Sequence, residues 1–144
     1  MIVHAGLIAT RRDGAWRGVL VEGPSGAGKS DLMLRAMQAG FRLVADDRVL
    51  LWISGGRLFG RAPDTLAGLM EVRGVGVVRL DPLPLAEVAL VVRPGTPERV
   101  PDPALADILG LQVPLAVLGL GESSAPAKLS HALAAFDAVA KRRI

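Results

Sequence analysis

Short apolar runs set between glycine, proline and charged pairs dominate the chain, and few stretches repeat apolar residues at helical spacing. Met1 to Thr10 predicts a strand with His4 near its start. Arg11 to Gly14 predicts a polar hairpin turn, and Trp16 to Glu22 a second strand, buried over Gly18 to Glu22. Helical spacing begins at about Lys29, where Leu32, Met33, Ala36 and Met37 share one face and Gly40 stands where a cap belongs. Phe41 to Asp47 predicts a strand ending in two carboxylates. Val49 to Ile53 follows at once, and Ser54-Gly55-Gly56 turns the chain into RLFGRA. After a loop at Pro63, Leu69 to Leu80 alternates apolar and polar residues across a Gly-Val-Gly that predicts a bulge or a close ligand approach. Pro82 and Pro84 interrupt it. Glu87 to Arg93 predicts a buried strand. Asp102-Pro103 then predicts the cap of a short helix, ALADIL, closed by Gly110, and Gln112 to Leu118 predicts a further strand. Ser123 to Pro126 reads as a loop before an amphipathic helix from Lys128 to Arg142, with Leu129, Leu133, Phe136 and Val139 inward.

Between Phe41 and Arg93 strand follows strand, which does not fit strict alternation of strand and helix in a parallel sheet. The pattern predicts an α/β protein with a mixed, β-rich sheet around one helix. No repeat or linker interrupts it, so residues 1–144 read as one domain.

Composition narrows the compartment and the partners. Apolar residues make up 51% and aromatics 3%, so Leu, Val, Ala and Met must build the core. There is no cysteine, hence no disulfide framework or thiolate metal site, in keeping with a reducing compartment. The first charges follow the first apolar run, the reverse of a secretory signal, and Val113 to Gly121 is far too short to span a membrane. The expected location is the cytoplasm. Fourteen of the 17 basic residues are arginine, scattered along a chain of net charge +3, which predicts a solvated surface and no nucleic-acid partner.

The chemistry gathers at GPSGAGKS. Gly23, Pro24, Ser25, Gly26, Ala27, Gly28, Lys29 and Ser30 satisfy G-x-x-x-x-G-K-[ST], the loop that cradles phosphates. Its glycines allow backbone conformations that turn N–H groups inward on an anion. Lys29 supplies a cation for the outer phosphates, and Ser30 a hydroxyl for Mg²⁺. A strand before the loop and a helix after it complete the expected context, with the positive helix end at the phosphates. ATP with Mg²⁺ is the expected ligand.

Other candidates are less specific. Asp46 and Asp47 close the strand after the loop's helix and can reach the same sheet edge. Neighbours on a strand point to opposite faces, so both face a nucleotide only if the chain bends there, and a simple turn is the alternative. Glu71 is either a metal ligand or a surface glutamate paired with Arg73. His4 reads as a core histidine or a site residue, His131 as surface, and Arg99 as a loop arginine or a phosphate contact.

Taken together, His4, GPSGAGKS, LVADDRV (Leu43 to Val49) and LMEVRGVGV (Leu69 to Val77) resemble the catalytic domain of HPr kinase/phosphorylase in order and approximate spacing. The resemblance runs from about His4 to Val78. It implies Asp47 as proton acceptor, with Asp46 beside it and His4 close by. Lys29 would serve the transferred phosphate, and Ser30 and Glu71 would serve Mg²⁺. Arg99, in ERVP, approximates the family's D-R-L-G arginine. The implied acceptor is a serine of the phosphocarrier protein HPr. The implied fold is the P-loop type similar to the nucleotide domain of phosphoenolpyruvate carboxykinase, assembled as a homo-oligomer, usually a hexamer. Longer members carry an N-terminal domain, so this chain reads as a short form. VPLAVLGLG, where the family's dephosphorylation element should fall, has no arginine or lysine, which favours kinase action over phosphorylase action. Two other readings compete: a small-metabolite P-loop kinase, which needs lid helices that the β-rich middle does not provide, and a nucleotide-binding regulatory module without turnover.

Overall fold

A computed structural model describes residues 1–142, with side chains up to residue 136. Its strands are β1 (Ile2–Val3), β2 (Ala5–Arg12), β3 (Ala15–Glu22), β4 (Arg42–Ala45), β5 (Val49–Ser54), β6 (Arg57–Arg61), β7 (Leu69–Val72), β8 (Gly76–Arg79), β9 (Ala86–Pro94), β10 (Ala104–Ile108) and β11 (Leu111–Leu118). Helix α1 spans Lys29–Gln38 and α2 Ala125–Arg142.

Nine strands form one mixed sheet in the order β1-β5-β6-β9-β3-β2-β4. β9 is the hub. It runs parallel to β3 on one side, while the other side pairs with β6 at Ala86 and Glu87 and with β11 from Val91 to Pro94. β10 pairs antiparallel with β11 beyond it. The central strands are buried on both faces, which is why Val19 to Val21 and Leu90 to Val92 read as unbroken apolar runs. Alternation along β3 sends Val19 and Val21 to the helical face and Leu20 to the other. On the helical face α1 and α2 bury Leu32, Met33, Ala36, Leu129 and Leu133. On the opposite face, residues of the β5–β6 and β10–β11 hairpins pack into one cluster.

Tight turns fix the registers. Asp13-Gly14, Gly55-Gly56 and Leu109-Gly110 all take positive φ at both positions, the two-residue turn that matches strand twist. Helix α1 ends as its Gly40 predicts. Gly40 has φ 104°, and the Phe41 and Gly40 N–H groups return to the carbonyls of Ala36 and Met37.

The structure departs from the sequence reading in four places. Met1 to Thr10 is not one strand but β1 and β2, which part at His4 and pair with different neighbours. ALADIL is not a helix but strand β10 plus the first residue of a turn. Leu105 and Asp107 point outward while Ala106 and Ile108 point inward, a period of two, and Gly110 serves a hairpin rather than a helix cap. Leu69 to Leu80 is not one bulged strand but the hairpin β7–β8, a separate two-stranded sheet with its turn at Arg73 to Val75. Helix α2 starts at Ala125, since Pro126 in a first turn has no N–H that the helix needs. Val139 lies outside the described side chains. Among the described residues no helix is long and apolar enough to cross a membrane.

Candidate active site

The loop from Gly23 to Gly28 joins β3 at the sheet's centre to α1. Gly23, Gly26 and Gly28 have φ of 140°, 84° and 94°, backbone states that a side chain would strain. Gly28 is the N-cap of α1 with no side-chain cap, so the first N–H groups of the helix are left for a ligand. Lys29 is 8% exposed, and its ammonium donates to the carbonyls of Gly23 and Pro24 within the loop.

Strand β4 stops at Ala45, and the chain bends over Asp46 and Asp47 before β5. Asp47 has φ 69°, a left-handed state that aspartate tolerates better than most residues. This bend removes the conflict expected of neighbours on a strand. Asp46 is buried at 8% exposure and accepts hydrogen bonds from Ser30 Oγ at 2.8 Å and from the Glu71 N–H at 3.2 Å. Asp47 is exposed. Its Oδ1 lies 2.6 Å from His4 Nε2, and its Oδ2 lies 3.8 Å from an Arg48 nitrogen. His4 interrupts the chain between β1 and β2 with its side chain 41% exposed, so it is not a core histidine.

These groups surround an open cleft of about 450 Å³. Ser25, Gly26, Gly28, Lys29 and Ser30 form its floor. His4 and Asp47 stand on its walls, as do Glu71 and Arg73 of the β7–β8 hairpin. Glu71 is exposed, and among the described residues its side chain has no ion pair or hydrogen bond, so pairing with Arg73 does not explain it. Arg99 lies exposed in the 95–103 loop and does not line the cleft, and His131 is exposed on α2.

Two features escaped the sequence reading. Asp46 bridges loop and hairpin rather than merely standing beside Asp47, a role no spacing reveals. Asp31 and Leu34 also line the cleft; their place one and four residues after Ser30 on α1 was the available signal.

The oxygen donors suit a hard cation. Ser30 Oγ and the Asp46 carboxylate are already in contact, and the Glu71 carboxylate borders the same cleft. Mg²⁺ typically takes one or two carboxylates together with substrate phosphates, so these residues fit it. No set of three or more His, Asp or Glu side chains placed to hold a metal occurs among the described residues.

Residues 7–83 match the family described as HPr Serine kinase C-terminal domain. That range contains the loop, both aspartates, Glu71 and Arg73, but not His4 or Arg99. The chain is 47% identical over 64 residues to an HPr kinase/phosphorylase of Brevibacillus brevis, covering 44% of this chain and 21% of that one. It is 40% identical over 83 residues to one of Limosilactobacillus reuteri, covering 52% and 26%. The matched segments thus span about a fifth to a quarter of these relatives. The solved structure of the Hpr(Ser) kinase/phosphatase from Coxiella burnetii superimposes with a TM-score of 0.77 at 23% identity, covering 98% of this chain and 99% of that one. At that identity the likeness concerns the fold.

Proposed function

The chain belongs to the HPr serine kinase C-terminal domain family, and we propose that it is an ATP- and Mg²⁺-dependent kinase that phosphorylates a serine of the phosphocarrier protein HPr. The observation that carries this reading is the bend at Asp46-Asp47. It turns one carboxylate to Ser30 of the phosphate loop and leaves the other at the open cleft beside His4.

Each group then has a task. The N–H groups of Gly26 and Gly28 and the start of α1 hold the nucleotide phosphates. Lys29 leaves the loop carbonyls and turns to the transferred phosphate. Ser30, Asp46 and Glu71 would hold Mg²⁺, which when bound neutralises charge on the outer phosphates. Asp47 orients the acceptor hydroxyl and takes its proton, with His4 fixing the carboxylate. A serine oxygen–phosphorus bond forms as the terminal phosphoanhydride bond breaks, and ADP leaves with the bridging electron pair. Reverse phosphorolysis would use the same groups, and Val113 to Gly121 offers it no further cation. Arg99 would take part only through movement of its loop or from another subunit.

The same reading places residues 1–144 as one catalytic domain of P-loop type, like the nucleotide domain of phosphoenolpyruvate carboxykinase. It takes the protein to work in the cytoplasm as a homo-oligomer, a hexamer by family resemblance. Exposed Val100 and Leu105 leave apolar surface that assembly could cover. Incubation with Mg-ATP and HPr, followed by mass spectrometry, tests the proposal. Phosphoserine on HPr is the expected result; ATP binding without transfer would leave a nucleotide-binding regulatory module instead.

A further inference from the structure

Phosphoryl transfer spreads negative charge over three oxygens and calls for more than one cation. The cleft is lined by the carboxylates of Asp31, Asp47 and Glu71, with Asp46 just beneath. Against these stand, among the described residues, two lysine or arginine cations, Lys29 and Arg73. Arg99 is elsewhere, and Arg48, although within 3.8 Å of Asp47, does not line the cleft.

We propose that Arg73 is the catalytic arginine that grips the transferring phosphoryl group, closing over it from the β7–β8 turn. The proposal rests on the phosphoryl-transfer reading of the cleft. Arg73 is exposed, and among the described residues its side chain has no ion pair or hydrogen bond, so no partner among them must be broken to engage a ligand. A guanidinium presents a planar fork that bonds two phosphate oxygens at once, whereas an ammonium acts as a point charge.

The hairpin is built to hold its base and free its tip. Met70 is 1% exposed within the helical-face core, the Glu71 N–H is tied to Asp46, and the Leu80 N–H bonds the Gly68 carbonyl at 2.7 Å. Beyond that base, Gly74 and Gly76 have φ of 86° and 124°, and among the described residues no heavy atom outside the adjacent positions lies within 4 Å of where a Cβ would stand on either. Val75 is 74% exposed. The turn thus stands in open space at these positions, and the Asp46 tie joins the hairpin's base to Ser30.

The test compares the parent with Arg73→Ala, Arg73→Lys and Lys29→Ala. Each is measured for single-turnover phosphorylation of HPr, for ATP affinity, and for affinity toward ADP with aluminium fluoride, a planar mimic of the phosphoryl group in flight. Arg73→Ala should lower the rate by roughly a hundred- to a thousand-fold, the usual effect of losing one donor to developing charge. Its affinity for ADP with aluminium fluoride should fall in parallel, while ATP affinity changes little, and Arg73→Lys should recover only part of both losses. Parental rate and parental aluminium fluoride affinity in Arg73→Ala, with Lys29→Ala inactive, would overturn the assignment to Arg73 alone. A parent that transfers nothing to HPr would instead sink the kinase reading, and the aluminium fluoride comparison would still decide for or against Arg73.

Discussion

Ser30 Oγ donates to Asp46 Oδ1 at 2.8 Å, and the other oxygen of that carboxylate takes the Glu71 N–H. One buried aspartate therefore joins Ser30 at the start of α1, the end of β4 and the β7–β8 hairpin. The Glu71 side chain, without a partner among the described residues, borders the cleft beside this junction. Replacing Glu71 by Gln keeps its shape and removes a hard anionic donor. The Mg²⁺ concentration for half-maximal phosphorylation should rise several-fold, with the thermal midpoint unchanged. A Mg²⁺ titration that overlays the parent's would show that Glu71 is a surface residue.

Lys29 is held in a resting position by two carbonyls of its own loop, so its ammonium is positioned without a nucleotide. Lys29→Ala should abolish measurable transfer and weaken ATP binding by on the order of ten-fold or more, about 1.4 kcal/mol per factor of ten. Calorimetric titration beside a turnover assay reads both effects. Unchanged turnover would remove the loop from the active site.

Leu109 has φ 53° in the β10–β11 turn and is 46% exposed, so it bears backbone strain with little burial in return. Leu109→Asn should relieve about 1 kcal/mol, because asparagine tolerates that conformation and little packing is lost. Thermal unfolding should show a midpoint higher by roughly 2–4 °C. An unchanged or lower midpoint would mean that Leu109's contacts outweigh its strain.

Sequence was most informative where local chemistry admits one backbone answer. The Gly23 to Gly28 loop with its helix, the glycine cap at Gly40 and the Asp13-Gly14 and Gly55-Gly56 hairpins all depend on residues whose allowed conformations are few. It misled where one signal serves two structures. Asp-Pro ahead of ALADIL and a glycine after it fit a helix, but the same glycine closes the turn to β11, and the Asp107 carboxylate there accepts the Gly110 N–H. Long-range contacts were the least legible. The tie from Asp46 to Glu71 spans 25 residues, and that from His4 to Asp47 spans 43. The first depends on where the separate β7–β8 hairpin docks and the second on how the main sheet orders its strands, and no local pattern encodes either. The left-handed bend at Asp47 was likewise hidden, although two adjacent carboxylates at a strand end posed the question it answers.

The central claim is that the Asp47 carboxylate, exposed beside His4, activates a serine hydroxyl for attack on ATP. Asp47→Asn preserves shape and removes the base. General-base help is typically worth about a hundred- to ten-thousand-fold, roughly 3 to 5 kcal/mol of barrier. The decisive measurement is the single-turnover rate of HPr phosphorylation by the parent and by Asp47→Asn, with the ATP dissociation constant determined for each. The account predicts phosphoserine on HPr from the parent, a rate lower by about that factor in the variant, and ATP affinity kept or slightly improved. Transfer by Asp47→Asn at the parent's rate would contradict it and make Asp47 a turn residue.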